Sequence, residues 1–255
     1  MELPNVLWIG APPGAGKTTV ARLLARRHGL RWYSSDTKTW EHRDRALAAG
    51  VTLPDRGPGS AHYDRRPMMI DDLRSLPASP LIVADGPLTP GMVESRPDIT
   101  RQAVWLVPSK EVQHTRLRIR HPEGVPPAYL QSWESMVRKF EESGITGIRV
   151  DHLTVAETLR EVERVFAVHL GRGPTAGSLE ERRALIRHGN QALLAQYLSP
   201  SARPLSTVDP GERVRTFDCE CAEVSCDALI DLRVSEAAAA VASAPPTILA
   251  PGHGN

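Results

Sequence analysis

Val6-Leu-Trp-Ile9-Gly10-Ala11-Pro-Pro-Gly14-Ala15-Gly16-Lys17-Thr18-Thr19-Val20 is the stretch whose reading decides the fold. An apolar run of strand length ends in Gly10, and a loop of small residues and prolines follows. From Thr18 to His28, residues Val20, Leu23, Leu24 and Arg27 recur at helical spacing before Gly29. The octet Ala11 to Thr18 has the spacing of a phosphate-binding loop, with alanine in place of the first glycine. The residue types follow from the chemistry. Small residues let successive backbone N–H groups curl around a phosphate, Lys17 spans the β- and γ-phosphates as a point charge, and Thr18 offers a hydroxyl to Mg²⁺. The helix N-terminus adds roughly half a positive charge. Gly14, Ala15, Gly16, Lys17, Thr18 and Thr19 are therefore expected to bind the phosphates of a nucleotide. Only four of the 31 basic residues are lysines, and one of them stands here.

Outward from this loop, apolar runs at Arg31 to Ser34, Leu81 to Ala84, Ala103 to Val107 and Ile145 to Val150 predict four more strands, each apolar enough to be central. Helices are expected at Glu111 to Arg120, after Ser109, and at Tyr129 to Glu142. Another is opened by Thr154, with Glu157 three residues on as a capping box. Alternating β and α units argue for an α/β protein with a parallel sheet covered on both faces. The expectation is a three-layer P-loop NTPase fold with a five-stranded parallel sheet over residues 1–170. Gly171-Arg-Gly-Pro-Thr-Ala-Gly177 marks a boundary, and Ser178 with Glu181 starts a helix running to about Leu198. Residues 178–255 then form a small C-terminal module carrying every cysteine.

Composition narrows the function. At 255 residues the chain suits two units, and 41% hydrophobic with 24% charged residues is the balance of a globular protein. A net charge of +1 gives no whole-molecule field for a dedicated nucleic-acid or anionic-membrane binder. The longest apolar run, Ala237 to Ala244, is far shorter than the roughly 18–20 residues of a membrane span. The start at Met1 and Glu2 lacks the basic, then apolar pattern of a signal peptide, which predicts a cytoplasmic protein. Three cysteines in such a compartment point away from a disulfide framework.

Between Val6 and Phe166 the chain resembles the P-loop small-molecule kinases, the group of adenylate, shikimate and gluconate kinases and chloramphenicol phosphotransferase. The resemblance lies in the loop and in the placement of motifs. It implies an ATP- and Mg²⁺-dependent kinase acting on a hydroxyl of a small molecule. It also implies an acceptor-binding insertion after the second strand, here residues 37–76, and an arginine-bearing lid after the fourth, here residues 116–142. Asp36, closing Trp32-Tyr-Ser-Ser-Asp36, stands where the hydroxyl-phosphorylating members place an acidic residue, and would orient the acceptor hydroxyl and take its proton. Alternatively it caps the following helix. A nucleoside monophosphate kinase, whose acceptor phosphate needs arginines rather than a base, fits Asp36 less well.

Asp85, in Leu81-Ile-Val-Ala-Asp85-Gly86, occupies a position at which a carboxylate holds Mg²⁺ through Thr18; facing the acceptor or accepting turn N–H groups are the other readings. Residues 101–120 are the most basic near the core, with Arg101, Lys110, Arg116, Arg118 and Arg120. Arg116 and Arg120, four apart, share a helical face and match the family's lid arginines, against the alternative of a solvated surface. Arg138 and Lys139 are weaker lid candidates. The insertion is the least regular stretch, with Gly57-Pro-Gly59; within it Trp40, His42, Arg43 and Tyr63 are candidates to line the acceptor pocket, against the alternative that a Trp at this spacing belongs to the core, and the loop of Gly147 to His152 is where the family holds adenine.

Cys219-x-Cys221-x₄-Cys226 gathers all three cysteines into eight residues, which favours a metal site over buried core thiols or redox chemistry. Structural Zn²⁺ takes four ligands. His253, in the terminal Pro-Gly-His-Gly, is the leading fourth, with His188 and flanking carboxylates as substitutes. The tail resembles a small C-terminal module of high-GC bacterial proteins, which implies a zinc-stapled mini-domain. A nucleotide-dependent switch whose tail binds a partner is the rival from another functional class.

Overall fold

The five apolar runs become the strands of one five-stranded parallel sheet in the order β2-β3-β1-β4-β5. The computed structural model describes residues 3, 5–55, 62–86, 102–121, 124–200, 209–242 and 248–254. Met1, Glu2, Gly57-Pro-Gly59, Arg101 and the end of the Ala237 to Ala244 run lie outside the described residues. In chain order the elements are β1 Val6–Gly10, α1 Lys17–His28, β2 Arg31–Ser34, α2 Thr39–Ala48, α3 Arg66–Ser75, β3 Ile82–Gly86 and β4 Ala103–Val107. There follow α4 Lys110–Arg120, α5 Pro127–Glu141, β5 Thr146–Arg149, α6 Val155–Arg172, α7 Leu179–Leu198, β6 Val214–Asp218, β7 Leu229–Arg233 and α8 Val234–Ala242. Among the described residues no helix is long and apolar enough to cross a membrane.

Contacts divide the chain into two units. The first comprises Met1–Ala25 and Leu81–Pro174, the second Arg26–Pro80 and Thr175–Asn255. In the first unit, β1, β3 and β4 are buried along their whole length, as continuous apolar strands covered on both faces must be. The register sets Gly10 beside Gly86 and Ile9 beside Asp85, so the chain leaves β1 for its glycine loop next to the Asp85 carboxylate. β5 differs from the sequence expectation of a central strand. It is an edge, and of its four residues only Ile148 is buried, because Thr146-Gly-Ile-Arg149 offers a single large apolar side chain.

Helix starts follow local chemistry. Ser109 caps α4 by accepting from the Val112 N–H, and Thr154 and Glu157 complete a capping box on α6. At α7 only half the box forms: Ser178 accepts from Glu181 N, but the Glu181 carboxylate turns to Gly177 N at 2.6 Å. In the second unit, α7 crosses β2 where Gly189 meets the Trp32 ring, 3.1 Å from the position a Cβ would take. The β6–β7 hairpin and α8, with Leu194 from α7 and Ile248 from the chain after α8, build a small core of Leu194, Phe217, Val234, Ala237 and Ile248.

One close approach in the first unit yields a test. Trp105 and Phe140 stack with centroids 5.7 Å apart, and a Cβ on Gly147 would lie 2.5 Å from Phe140 Cζ. The stacked ring cannot swing away freely. Gly147→Ala is therefore expected to cost about 1–3 kcal/mol in urea denaturation; an unchanged midpoint would show that the stack yields.

Candidate functional site

The loop after β1 is shaped by two glycines in the left-handed region, Gly14 at φ +82° and Gly16 at φ +93°. Ala15 N donates to Pro12 O at 3.3 Å, closing the turn, and Val20 N donates to Gly16 O, starting the helix. A Cβ at Gly16 would meet nothing within 4 Å among the described residues, so this backbone lies open to a ligand. At Gly14 the same addition would come 3.1 Å from Leu117 Cγ. Lys17 and Thr18 open α1, and Thr19 is exposed beside them.

Thr18 Oγ1 donates to Asp85 Oδ1 at 3.1 Å, and Asp85 is fully buried. A hydroxyl and a buried carboxylate in contact at the base of a bare glycine loop are the donor set that a triphosphate with Mg²⁺ requires: hard oxygen ligands beside phosphate-binding N–H groups. The residues present fit both ATP and the cation. Gly14, Ala15, Gly16, Lys17, Thr18 and Thr19 are contiguous here, with Asp85 joined to them through Thr18.

α4 buttresses this loop, which the sequence reading did not anticipate. Buried Gln113 donates to Pro13 O at 3.0 Å and to Tyr129 O at 3.4 Å, while Leu117 packs beneath Gly14. Arg116 donates to Ala15 O at 3.4 Å and to Val150 O at 3.3 Å. It thus ties the phosphate loop to the segment following β5. Arg120, one turn later, is exposed. The spacing of Gln113, Arg116 and Leu117 on a Ser109-capped helix was the available signal.

In the second unit, Asp36 follows β2 in a chain of turns: its carbonyl accepts from Thr39 Oγ1 at 2.8 Å and from Thr39 N at 3.3 Å. The N-cap of α2 is Lys38, with no side-chain cap, so Asp36 stands two residues before the N-cap rather than at it. Nearby, Asp72 Oδ2 accepts from Tyr33 Oη at 2.9 Å and from His42 Nε2 at 2.7 Å, and Oδ1 accepts from Arg45 at 2.6 Å. Arg65 Nε donates to His42 Nδ1 at 3.1 Å, which leaves the ring proton on Nε2, facing Asp72. Burial alone would raise the Asp72 carboxyl, but the hydrogen bonds from His42 and Tyr33, with Arg45, bring it down to about 2. Burial, reinforced by Asp72, pushes the Tyr33 hydroxyl well above its ordinary value. Three buried polar atoms nearby have no protein partner among the described residues: Ser35 Oγ, Arg43 Nη1 and Tyr63 Oη. Trp40 is half-buried at the start of α2.

The cysteine run forms a second centre in this unit. Cys219, Cys221, Cys226 and His253 place one ligand atom each within 4.8 Å of one another, and His253 rather than His188 supplies the imidazole. His253 Nδ1 lies 3.5 Å from both Cys219 Sγ and Cys226 Sγ. Asn190 on α7 fixes the approach, donating to Asp218 O and Glu220 Oε1 and accepting from Asp218 N. Burial pushes the Cys221 thiol up to about 12, with Cys226 and Cys219 adding to it. At Cys226 burial acts in the same direction but is outweighed by hydrogen bonds from Ala228 N and Cys221 and by the Arg26 guanidinium, so this thiol falls below its ordinary value.

No protein-family model matches the chain. A UPF0200 protein of Pyrobaculum aerophilum is 28% identical over 168 residues, 63% of this chain and 93% of that protein. Among solved structures, a gluconokinase from Sinorhizobium meliloti is similar at TM-score 0.46 and 20% identity, over 67% of this chain and 96% of that one. Shikimate kinase from Acinetobacter baumannii, in complex with shikimate, is similar at TM-score 0.46 and 20% identity, over 65% and 94%. By its own strand order, glycine loop and Thr18–Asp85 pair, this chain has the P-loop nucleotide-binding fold, and it carries a Cys₃His group that could bind a metal.

Proposed function

We propose that the protein is an ATP-dependent phosphotransferase acting on a hydroxyl group of a small molecule. The observation that carries this reading is the Thr18–Asp85 contact beneath an open glycine loop that begins the helix bearing Lys17. Bound Mg²⁺-ATP would supply the phosphoryl group and the cation that offsets its charge. Thr18 and Asp85 would hold the cation, and Lys17 with the loop N–H groups the phosphates. Arg116 holds the loop in shape through Ala15 O, and Arg120 is the lid arginine of this proposal. Asp36 would orient the acceptor hydroxyl and take its proton. Ser35, Arg43 and Tyr63, with their unpartnered polar atoms, favour an oxygen-rich acceptor, since a buried donor left unpaired costs about 1–3 kcal/mol.

The test is ADP release from ATP and Mg²⁺, with and without pooled hydroxylated small molecules and with Lys17→Ala as the blank. Stimulation by one pool, lost in Asp36→Asn with ATP binding intact, is expected. Slow release indifferent to every hydroxyl pool would overturn the reading in favour of a nucleotide-dependent switch. Stimulation by nucleoside monophosphates alone would make it a nucleotide kinase.

A further inference from the structure

The cysteine centre lies outside the proposed phosphotransfer chemistry, and a side chain from a distant part of the sequence completes it. Arg26, on the last turn of α1 and only 6% exposed, donates from Nη2 to Cys226 Sγ at 3.0 Å. Its Nη1 is held by Ala228 O at 3.0 Å and by Asp218 Oδ1 at 3.3 Å. The guanidinium is thereby fixed in orientation toward a sulfur 200 positions away.

We propose that Cys219, Cys221, Cys226 and His253 bind one Zn²⁺ as a closed structural centre, and that Arg26 is its outer positioning residue, hydrogen-bonded to the Cys226 sulfur. Four arguments meet here. A tetrahedral Zn²⁺ with thiolate and imidazole ligands sets sulfur and nitrogen about 3.6 Å apart, and both Cys–His253 separations are 3.5 Å. A set of three sulfurs and one imidazole nitrogen is soft and tetrahedral, which selects zinc over magnesium, calcium or manganese. Four protein ligands leave no open coordination position, so the centre is structural rather than catalytic. Finally, three thiolates on Zn²⁺ leave one negative charge, and a buried cation oriented onto one of the sulfurs is the outer contact such a centre needs.

Backbone conformation agrees. Ala222, directly after the second cysteine and buried, sits at φ +63°, the only left-handed residue other than glycine among those described. Such a conformation costs on the order of 1–2 kcal/mol for alanine. It turns the chain just after Cys221, on the way from the Cys219 and Cys221 pair to Cys226, and Arg182 Nε holds the turn by donating to Ala222 O at 3.2 Å. Ala250 N donates to Cys219 Sγ at 3.3 Å, and His253 N to Ala250 O at 3.0 Å, bringing the imidazole in on a second turn.

The full chain, purified without chelators, is expected to carry one zinc per molecule. Replacement by Co²⁺ is expected to give sulfur-to-cobalt charge-transfer bands with the intense visible bands of a tetrahedral site. Arg26→Met is expected to keep that stoichiometry while weakening zinc about 10–100-fold in chelator competition, and to shift the charge-transfer band. Arg26→Lys, which keeps a cation and a donor, is expected to restore much of both. His253→Cys should retain the metal with a spectrum moved toward four sulfurs. Less than about half an equivalent of zinc together with featureless cobalt titrations would overturn the metal proposal, as would iron in place of zinc. Arg26→Met with unchanged competition and spectrum would overturn the role of Arg26.

Discussion

Lys17→Ala is expected to lower the turnover of phosphoryl transfer about 10³-fold. The reasoning is electrostatic. Charge on the transferring group spreads over its outer oxygens and the bridging oxygen in the transition state, and a fixed cation placed there acts without reorganising. Lys17 begins α1, so its backbone is set by the helix start and by Gly16, whose carbonyl accepts from Val20 N at 3.1 Å. Lys17→Arg should fail to restore the rate, because a planar fork does not occupy the place of a compact ammonium. Initial rates at saturating Mg²⁺-ATP, with circular dichroism to confirm folding, decide the matter. An alanine variant retaining a tenth of the activity would remove Lys17 from its role.

The second large effect concerns stability. Asp72 gathers Tyr33, His42 and Arg45 on one carboxylate whose side chain is 11% exposed. Removing it in Asp72→Ala leaves His42 Nε2 and Tyr33 Oη without that acceptor, and should cost about 3 kcal/mol. The pH dependence has a definite sign. The folded carboxyl sits at about 2 against an ordinary value of 3.8, so it is depressed. Its contribution is present above pH 3.8 and disappears as pH falls from there toward 2. With solvent screening allowed for, this amounts to about 1–2 kcal/mol. Urea midpoints measured from pH 5 downward should show the loss in the wild type and a flatter profile in Asp72→Asn. Parallel profiles would mean that this carboxylate does not govern the acid limb.

Much of this was legible beforehand because its determinants are local. Val6 to Gly10, the glycine loop and the Ser109, Thr154 and Ser178 helix starts each carry their signal within a few residues, and each is where the pattern put it. β5 was legible as a strand but not as an edge, since burial depends on which neighbours a strand lacks. The Asp72 cluster was not legible at all. Its members at positions 33, 42, 45, 65 and 72 come from three elements and the chain between them, and a single sequence gives no sign that five polar residues will share one buried point. Gln113 was half legible: its spacing places it on one face of α4 with Arg116 and Leu117, but nothing in Val112-Gln-His says that its amide will be buried against Pro13 O. Nothing in the sequence connects Arg26 with its partners, Cys226 and Asp218, about 200 positions away.

The span of the metal centre has a consequence for how this unit tolerates change. Cys219 and His253 stand 34 positions apart, and β7 and α8 lie on the chain between them. Closing a ring of that length costs about 4 kcal/mol of chain entropy. In the zinc-bound protein of our proposal, the ion shares that cost with a small core in which five side chains are buried among the described residues. Loading and core packing should then be strongly non-additive. Phe217→Leu or Ile248→Val would be mild in the zinc-loaded chain and severe after chelation, so that the metal acts as a reserve on which this small core can drift.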